Sequence, residues 1–377
     1  MHLFPLLPAL LFVPACLNAM LNAATFRRLP PRPIACARER VSILVPARNE
    51  AERIGPLLDS FLALDDRLDL ELIVYDDDSS DEMGAIVEGY AARDPRVRLL
   101  HGNGPPPGWT GRTNGLHTLA GAAQGDWLLF TDADVTFEPG GVERAVAVMQ
   151  ADKLDMLTLY PRQILGTWAE RAFVPLMVYA FYCFGPQWIH RRGGKVPIKP
   201  LNGQFNLWSR ASYDGVGGYA AIKDAWLDDM TMGRRLAALD RSLCYRAGAG
   251  VANCRMYRGF GEVWRGFAKH TFDAYGLPPA GYFALQAYQA VTHVALLGLP
   301  WMLSTPEDRA IALAWVAMIA LTRLVACLQC NGGWTSALLD PFALAASIVN
   351  ACESYRQFVR PSAAWKGRIR VKATPPA

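Results

Sequence analysis

Charge is spread so unevenly along the 377 residues that it divides the chain before any motif is considered. No charged residue occurs from Leu3 to Phe26, a length that matches the roughly 20 apolar residues needed to cross a bilayer core. Arg27, Arg28, Arg32, Arg38 and Arg40 follow at once. Positive charge marks the cytoplasmic side, so residues 1–30 read as a transmembrane anchor with the following domain in the cytoplasm. A cleaved signal peptide fits less well, because its basic residues precede the apolar run, whereas here they follow it. A second apolar block covers 280–352. It holds one span near Gly281–Leu303, another near Ala310–Cys330 broken only by Arg323, and a shorter run, Leu338–Cys352, that contains Asp340 and Pro341. Residues 353–377 are basic and carry no acid beyond Glu353, which puts this tail in the cytoplasm too. Only an even number of spans then fits between domain and tail, so Leu338–Cys352 is expected to be re-entrant or interfacial. Two apolar blocks of this kind explain why 52% of the chain is hydrophobic and only 19% charged.

The region between the blocks, 40–272, reads as an α/β domain. Short β-branched or apolar runs (41–45, 71–75, 97–100 and 127–130) alternate with helical stretches (50–64, 82–92 and 111–124). Such alternation predicts a doubly wound, mostly parallel sheet. Ligands bind such sheets beyond the carboxyl ends of the strands. Each strand end here carries polar residues: Pro46-Ala47-Arg48-Asn49-Glu50, then Asp76 to Asp81, then Gly108-Trp109-Thr110-Gly111-Arg112 after a proline loop, then Asp132-Ala133-Asp134.

Two carboxylates at i and i+2 on a strand end can share one divalent cation, and Mg²⁺ favours one or two carboxylates plus substrate phosphates. A turn or a helix cap uses Asp in the same way. The Asp76–Asp81 run has self-repulsion to offset, and it contains serines, Ser79 and Ser80, placed to cap the next helix. Asp228-Asp229 stands before a helical pattern, where the macrodipole favours ionised carboxylates. A carboxylate facing a substrate hydroxyl can act as general base.

Together these segments, in this order, resemble family 2 glycosyltransferases of the GT-A fold over roughly 40–270. The segment Asn202-Gly203-Gln204-Phe205-Asn206-Leu207-Trp208-Ser209-Arg210, followed by Tyr213 and Gly217-Gly218, resembles the acceptor side of membrane-anchored members, most similar to those of carotenoid and hopanoid pathways. The resemblance implies that Pro46, Ala47, Arg48 and Glu50 line a nucleotide pocket, that Asp77 binds uracil or ribose, and that Arg112 stands near the diphosphate. It implies that Asp132 contacts ribose or metal, that Asp134 binds Mg²⁺ or Mn²⁺, and that Asp229 is the catalytic base with Asp228 beside it. The implied reaction is inverting transfer from a nucleotide-sugar donor, UDP-linked, to a lipid acceptor in the bilayer. Transfer to a polyprenyl phosphate or a glycan chain is the enzymatic alternative, and an inactive nucleotide-binding scaffold the non-enzymatic one.

The chain departs from the family pattern in two places. Asp228 stands where Glu is usual. The Q-x-x-R-W motif of processive synthases is missing, and its place is taken by Arg258 to His270, in which Trp264 and Arg265 are the candidates to cover the donor on the acceptor side. That segment (258–272) alternates aromatic and basic residues, as a helix on an anionic membrane surface does. Residues 173–189 are aromatic-rich and read as a second interfacial segment. Cys327 and Cys330 lie in an apolar run and read as buried thiols. There is no phosphate-binding G-x-x-x-x-G-K-[ST] and no dinucleotide fingerprint. A net charge of +4 gives no electrostatic case for nucleic acid.

Overall fold

The computed structural model describes residues 7–30, 39–64, 67–185, 188, 199, 201–291, 296–329, 331–360, 364–365 and 368–369. Arg32, Arg38, Cys330 and most of the basic tail lie outside this set. The chain forms two compact units. One comprises 27–162 and 189–256, the other 1–26, 163–188 and 257–372.

The first unit is built on strands β1 (Arg40–Ala47), β2 (Asp69–Asp76), β3 (Val97–His101) and β4 (Trp127–Phe130), with helices Ala51–Leu62, Met83–Ala91 and Gly111–Ala122 between them. β5 (Val135–Phe137), β6 (Met156–Tyr160), β8 (Asn206–Ser209), β9 (Leu243–Ala247) and β10 (Ala252–Cys254) follow, and the two-residue β7 (Arg162–Gln163) lies where the chain leaves the unit. Seven strands form one sheet in the order β3-β2-β1-β4-β8-β6-β9. Neighbours are parallel except on both sides of β8, which runs antiparallel to β4 and β6. This is the expected mixed, mostly parallel α/β sheet. Its central strands are buried on both faces: every residue of β1 from Val41 and of β2 from Leu70 is closed off. That burial is why these strands read as near-continuous apolar runs. Ile54, Leu57, Leu58 and Phe61, at helical spacing, pin the first crossover helix to this core.

The second unit is helical. It contains Leu7–Thr25, Trp168–Phe184, Phe260–Tyr275, Pro279–Gln289, Leu296–Met302, Pro306–Gln329 and Gly333–Val359. The segments 173–189 and 258–272, read as interfacial pieces of the catalytic domain, thus group with the terminal helices. Among the described residues, two helices are long and apolar enough to cross a membrane, Pro306–Gln329 and Gly333–Val359. Of the span expected near Gly281–Leu303, the described residues form the helices Pro279–Gln289 and Leu296–Met302, and residues 292–295 lie outside the described set. The run 338–352, which Asp340 and Pro341 made look interrupted, lies inside one 27-residue helix. The Arg323 guanidinium meets the Asp340 carboxylate at 2.7 Å, so the acid that broke the apolar pattern is neutralised from the neighbouring helix.

Candidate active site

The loops after β1 and β2 are locked to each other. Asp77 N donates to Ala47 O (2.9 Å), Asn49 N to Ser79 Oγ (2.9 Å) and Ser80 N to Asn49 Oδ1 (2.8 Å). Arg48 donates through Nη1 to the Asp77 carbonyl and lies 3.5 Å from the Asp78 carboxylate. Asn49 and Asp78 take the left-handed backbone conformation (φ 51° and 58°) that Asn and Asp tolerate best after Gly. The helix after β2 is not capped by Ser79 or Ser80. Ser79 Oγ is taken by Asn49, and Asp81 does the capping: its Oδ1 accepts from Met83 N (3.2 Å) and its Oδ2 from Ala51 N (2.9 Å), the first residues of two helices. Pro46, Ala47 and Asp77 are buried beneath this junction, and Glu50 pairs with Arg53 at 3.0 Å.

Arg112 is fixed by the start of its helix. Thr110 Oγ1 accepts from Thr113 N (3.1 Å), and Thr110 N donates back to Thr113 Oγ1 (3.3 Å). This reciprocal cap holds the first turn. Arg112 is the second residue of that turn and joins two predicted acids. Its Nη1 lies 2.8 Å from Asp132 Oδ1, and its Nε donates to Asp228 Oδ1 and Oδ2 at 3.1 and 3.2 Å.

The reversed direction of β8 supplies the opposite wall. Phe130 pairs with Asn206, so the residues leading into β8 run beside those leaving β4. Thr131 Oγ1 donates to the buried carbonyl of Gln204 (2.8 Å). Gly203 then comes against Asp229 and donates its N–H to that carboxylate. A Cβ added at Gly203 would stand 2.8 Å from Asp229 Oδ2 and 3.0 Å from Arg112 Nη2, so only glycine fits without displacing them. Asp228 and Asp229 open the helix Asp228–Ala238, Asp228 being buried. Cys254 joins the site from β10. Its partner on β5 is Val135, next to Asp134, and its thiol is hydrogen-bonded to Asp134.

Asp132, Asp134, Asp228, Asp229, Arg112 and Glu50 therefore converge as expected, and Asp77 with Arg48 forms the adjoining loop junction. Trp264 and Arg265 belong to the helical unit, where the Trp264 ring packs on Phe260 and Arg265 is exposed. Gly203, Arg53 and Cys254 join the site without having been singled out. Gly203 sat inside a segment already noted, whereas Cys254 carries no local signal and is placed by strand pairing alone.

The electrostatics are those of crowded acid. Burial, then the neighbouring Asp132 and Glu50, push the Asp134 carboxyl up to about 7. Burial and Asp228 hold the Asp229 carboxyl well above the usual carboxylate range, against the pull of Arg112. Burial raises Asp132 as well, although Arg112 opposes it. Asp134 Oδ1 and Asp229 Oδ1 are closed off from solvent with no hydrogen-bond partner among the described residues. Buried acceptors of this kind are rare in folded proteins and mark places a ligand or ion completes.

A *Staphylococcus aureus* 4,4'-diaponeurosporenoate glycosyltransferase is 24% identical over 265 residues, 69% of this chain and 68% of that protein. The uncharacterized glycosyltransferase EpsJ of *Bacillus subtilis* is 32% identical over 118 residues, which span only 32% of its length. The mannosyltransferase PcManGT from *Pyrobaculum calidifontis*, solved in complex with GDP-Man and Mn²⁺, superposes with a TM-score of 0.55 at 18% identity, covering 93% of this chain and 96% of that one, a likeness of fold. The glycosyl transferase family 2 model matches residues 42–230, half of the chain, from inside β1 through the Asp228-Asp229 pair, and the protein belongs to that family.

Proposed function

We propose that the protein is an inverting glycosyltransferase that moves a sugar from a nucleotide donor, UDP-linked, to a lipid acceptor at the cytoplasmic face of a membrane. The observation that carries this reading is Asp229: a half-buried carboxylate with a raised proton affinity, one oxygen steadied by Gly203 N–H and the other closed off from solvent without a partner among the described residues. A carboxylate with raised proton affinity is a stronger base once ionised. Asp229 takes the proton of the acceptor hydroxyl as that oxygen attacks the anomeric carbon from the face opposite the leaving diphosphate. Arg112, held by Asp132 and Asp228, keeps a positive charge at the site where the diphosphate charge develops. Arg48 and Asp77 hold the base or ribose at the joined β1 and β2 loops.

The residues fit a divalent cation. Asp132 and Asp134 would hold it, and a positive charge at Asp134 Oδ1 would satisfy an acceptor that now lacks a partner. Two carboxylates are a small protein share for such an ion, and donor phosphates would complete its shell. When bound, it would supply charge neutralisation to the departing nucleoside diphosphate.

The lipid acceptor is supported by the two long apolar helices and by the name of the staphylococcal relative. The test is turnover of UDP- and GDP-sugars by the full-length protein in lipid nanodiscs, with Mn²⁺ or Mg²⁺, read as nucleoside diphosphate release and as a hexose mass gained by a lipid. Asp229→Asn is expected to bind donor and not turn over. Full turnover in that variant would remove Asp229 from the base role, and turnover in excess chelator would remove the cation.

A further inference from the structure

Arg323 is the buried charge that the proposed chemistry does not use. It sits on Pro306–Gln329, in a window of mean hydropathy 2.2, and is only 3% exposed. One arm of its guanidinium, Nη1, donates to Asp340 Oδ1 at 2.7 Å, and its flat face lies 3.6 Å above the Tyr179 ring. Nε and Nη2 are closed off from solvent and have no hydrogen-bond partner among the described residues. These two nitrogens form the side-on edge of the guanidinium, the fork whose parallel N–H groups match two oxygens of one carboxylate or phosphate. A hydrogen-bonding group left unmatched in apolar surroundings is costly. A structural ion pair had no need to keep this edge open: Lys at 323 would pair with Asp340 through a single point charge.

The surroundings within the helical unit are mixed. Tyr179 and Cys183 face Arg323 from Trp168–Phe184, and Cys327 and Asp340 from the two long helices. Tyr275, hydrogen-bonded to the buried Gln289, is within electrostatic reach. Asp340 is the one opposing charge among them. A ligand that reaches this edge comes through apolar protein and not from bulk water, which favours a lipid over a free ion.

We propose that the helical unit contains an internal lipid-binding site in which the Nε/Nη2 edge of Arg323 holds the carboxylate or phosphate end of an acidic lipid, while Tyr179 and Asp340 fix the guanidinium plane. The site goes beyond the glycosyl-transfer reading and does not depend on it. The experiment is thermal unfolding of the full-length protein in neutral detergent micelles, titrated with oleate, phosphatidylglycerol, phosphatidylcholine or inorganic phosphate. Oleate and phosphatidylglycerol are expected to raise the Tm by several degrees, phosphatidylcholine not to. Arg323→Gln is expected to weaken the half-effect concentration at least about tenfold, and Arg323→Lys, which keeps charge and loses the fork, by a similar amount. Asp340→Asn keeps the open edge and removes the competing carboxylate, so it is expected to bind oleate more tightly, a gain that a purely structural ion pair would not produce. Equal responses in wild type and both Arg323 variants would overturn the site, as would loss of the response in Asp340→Asn. An inorganic phosphate response as large as that of oleate would overturn the lipid assignment. If Arg323→Gln does not fold, the Lys and Asn variants decide.

Discussion

The half-buried acid cluster at the strand ends and the buried Arg323–Asp340 pair are both unbalanced charge, and they are unbalanced in opposite senses. In the sheet unit Glu50, Asp132, Asp134, Asp228 and Asp229 gather around Arg53 and Arg112, five acids to two cations, and the carboxylate oxygens without a partner among the described residues are Asp134 Oδ1 and Asp229 Oδ1. In the helical unit one cation meets one acid, and the atoms left over are donors, Arg323 Nε and Nη2. Surplus acceptors call for a cation or a proton to be taken up; surplus donors call for oxygen. The sign of the unmatched atoms thus says what each region binds.

The contrast is broken most severely at Asp229. Asp229→Asn keeps the shape and abolishes proton uptake, and kcat is expected to fall by about 10²–10⁴. In wild type, kcat is expected to rise with pH as Asp229 gives up the proton that burial and Asp228 help it keep. A flat profile through neutral pH, or equal pH dependence in the Asn variant, would count against it. The next largest effect concerns Asp134. Its folded-state carboxyl titrates near 7 against an ordinary 3.8, so the folded state binds the extra proton between these values. The contribution of this group to the stability of the cation-free protein is therefore expected to fall as pH rises through about 7. Mn²⁺ is expected to restore it, and Asp134→Asn to flatten both the decline and the Mn²⁺ response in denaturant titrations at fixed pH.

Gly203 sharpens the comparison at the level of packing. Gly203→Ala places a methyl against both Asp229 Oδ2 and Arg112 Nη2 and is expected to destabilise by about 1–3 kcal/mol, measured by urea unfolding, with a loss of activity larger than the loss of folded protein. Arg112→Lys is the mildest. It keeps a charge near Asp132 and loses the Nε contacts to Asp228, so donor affinity, read by calorimetry, is expected to weaken about tenfold with little change in Tm.

Much of the sheet unit was legible in the sequence because its signals are local. β1 to β4 announce themselves as apolar runs, and Asp132, Asp134, Asp228 and Asp229 stand at element boundaries where chain direction brings them to one edge. What was not legible depends on distant pairing. Arg112 meets Asp228 across 116 residues, and Cys254 reaches Asp134 only through the β5–β10 register. β8 runs against its neighbours, and that reversal, invisible in a periodicity count, turns Gly203 from part of a motif into a wall of the site. In the helical unit hydropathy scores Asp340 alone, whereas the fold sets it against Arg323 inside one continuous helix, a pairing that no local pattern announces. Trp264 and Arg265 were placed by position along the chain, and contact grouping assigns their helix to the other unit.

Asp81 carries a consequence of its own. One carboxylate holds the first amide of Ala51–Leu62 and the first amide of Met83–Ala91. The starts of two helices that flank the nucleotide-side loops therefore share a single fastener. In hydrogen exchange the amides of Ala51 and Met83 would lose protection together, and a fluctuation that frees one loop frees its neighbour at the same instant. The rim formed by these two loops would open as one piece, since Asp81 adds to the Asn49–Ser79, Ser80–Asn49 and Asp77–Ala47 bonds that already join them.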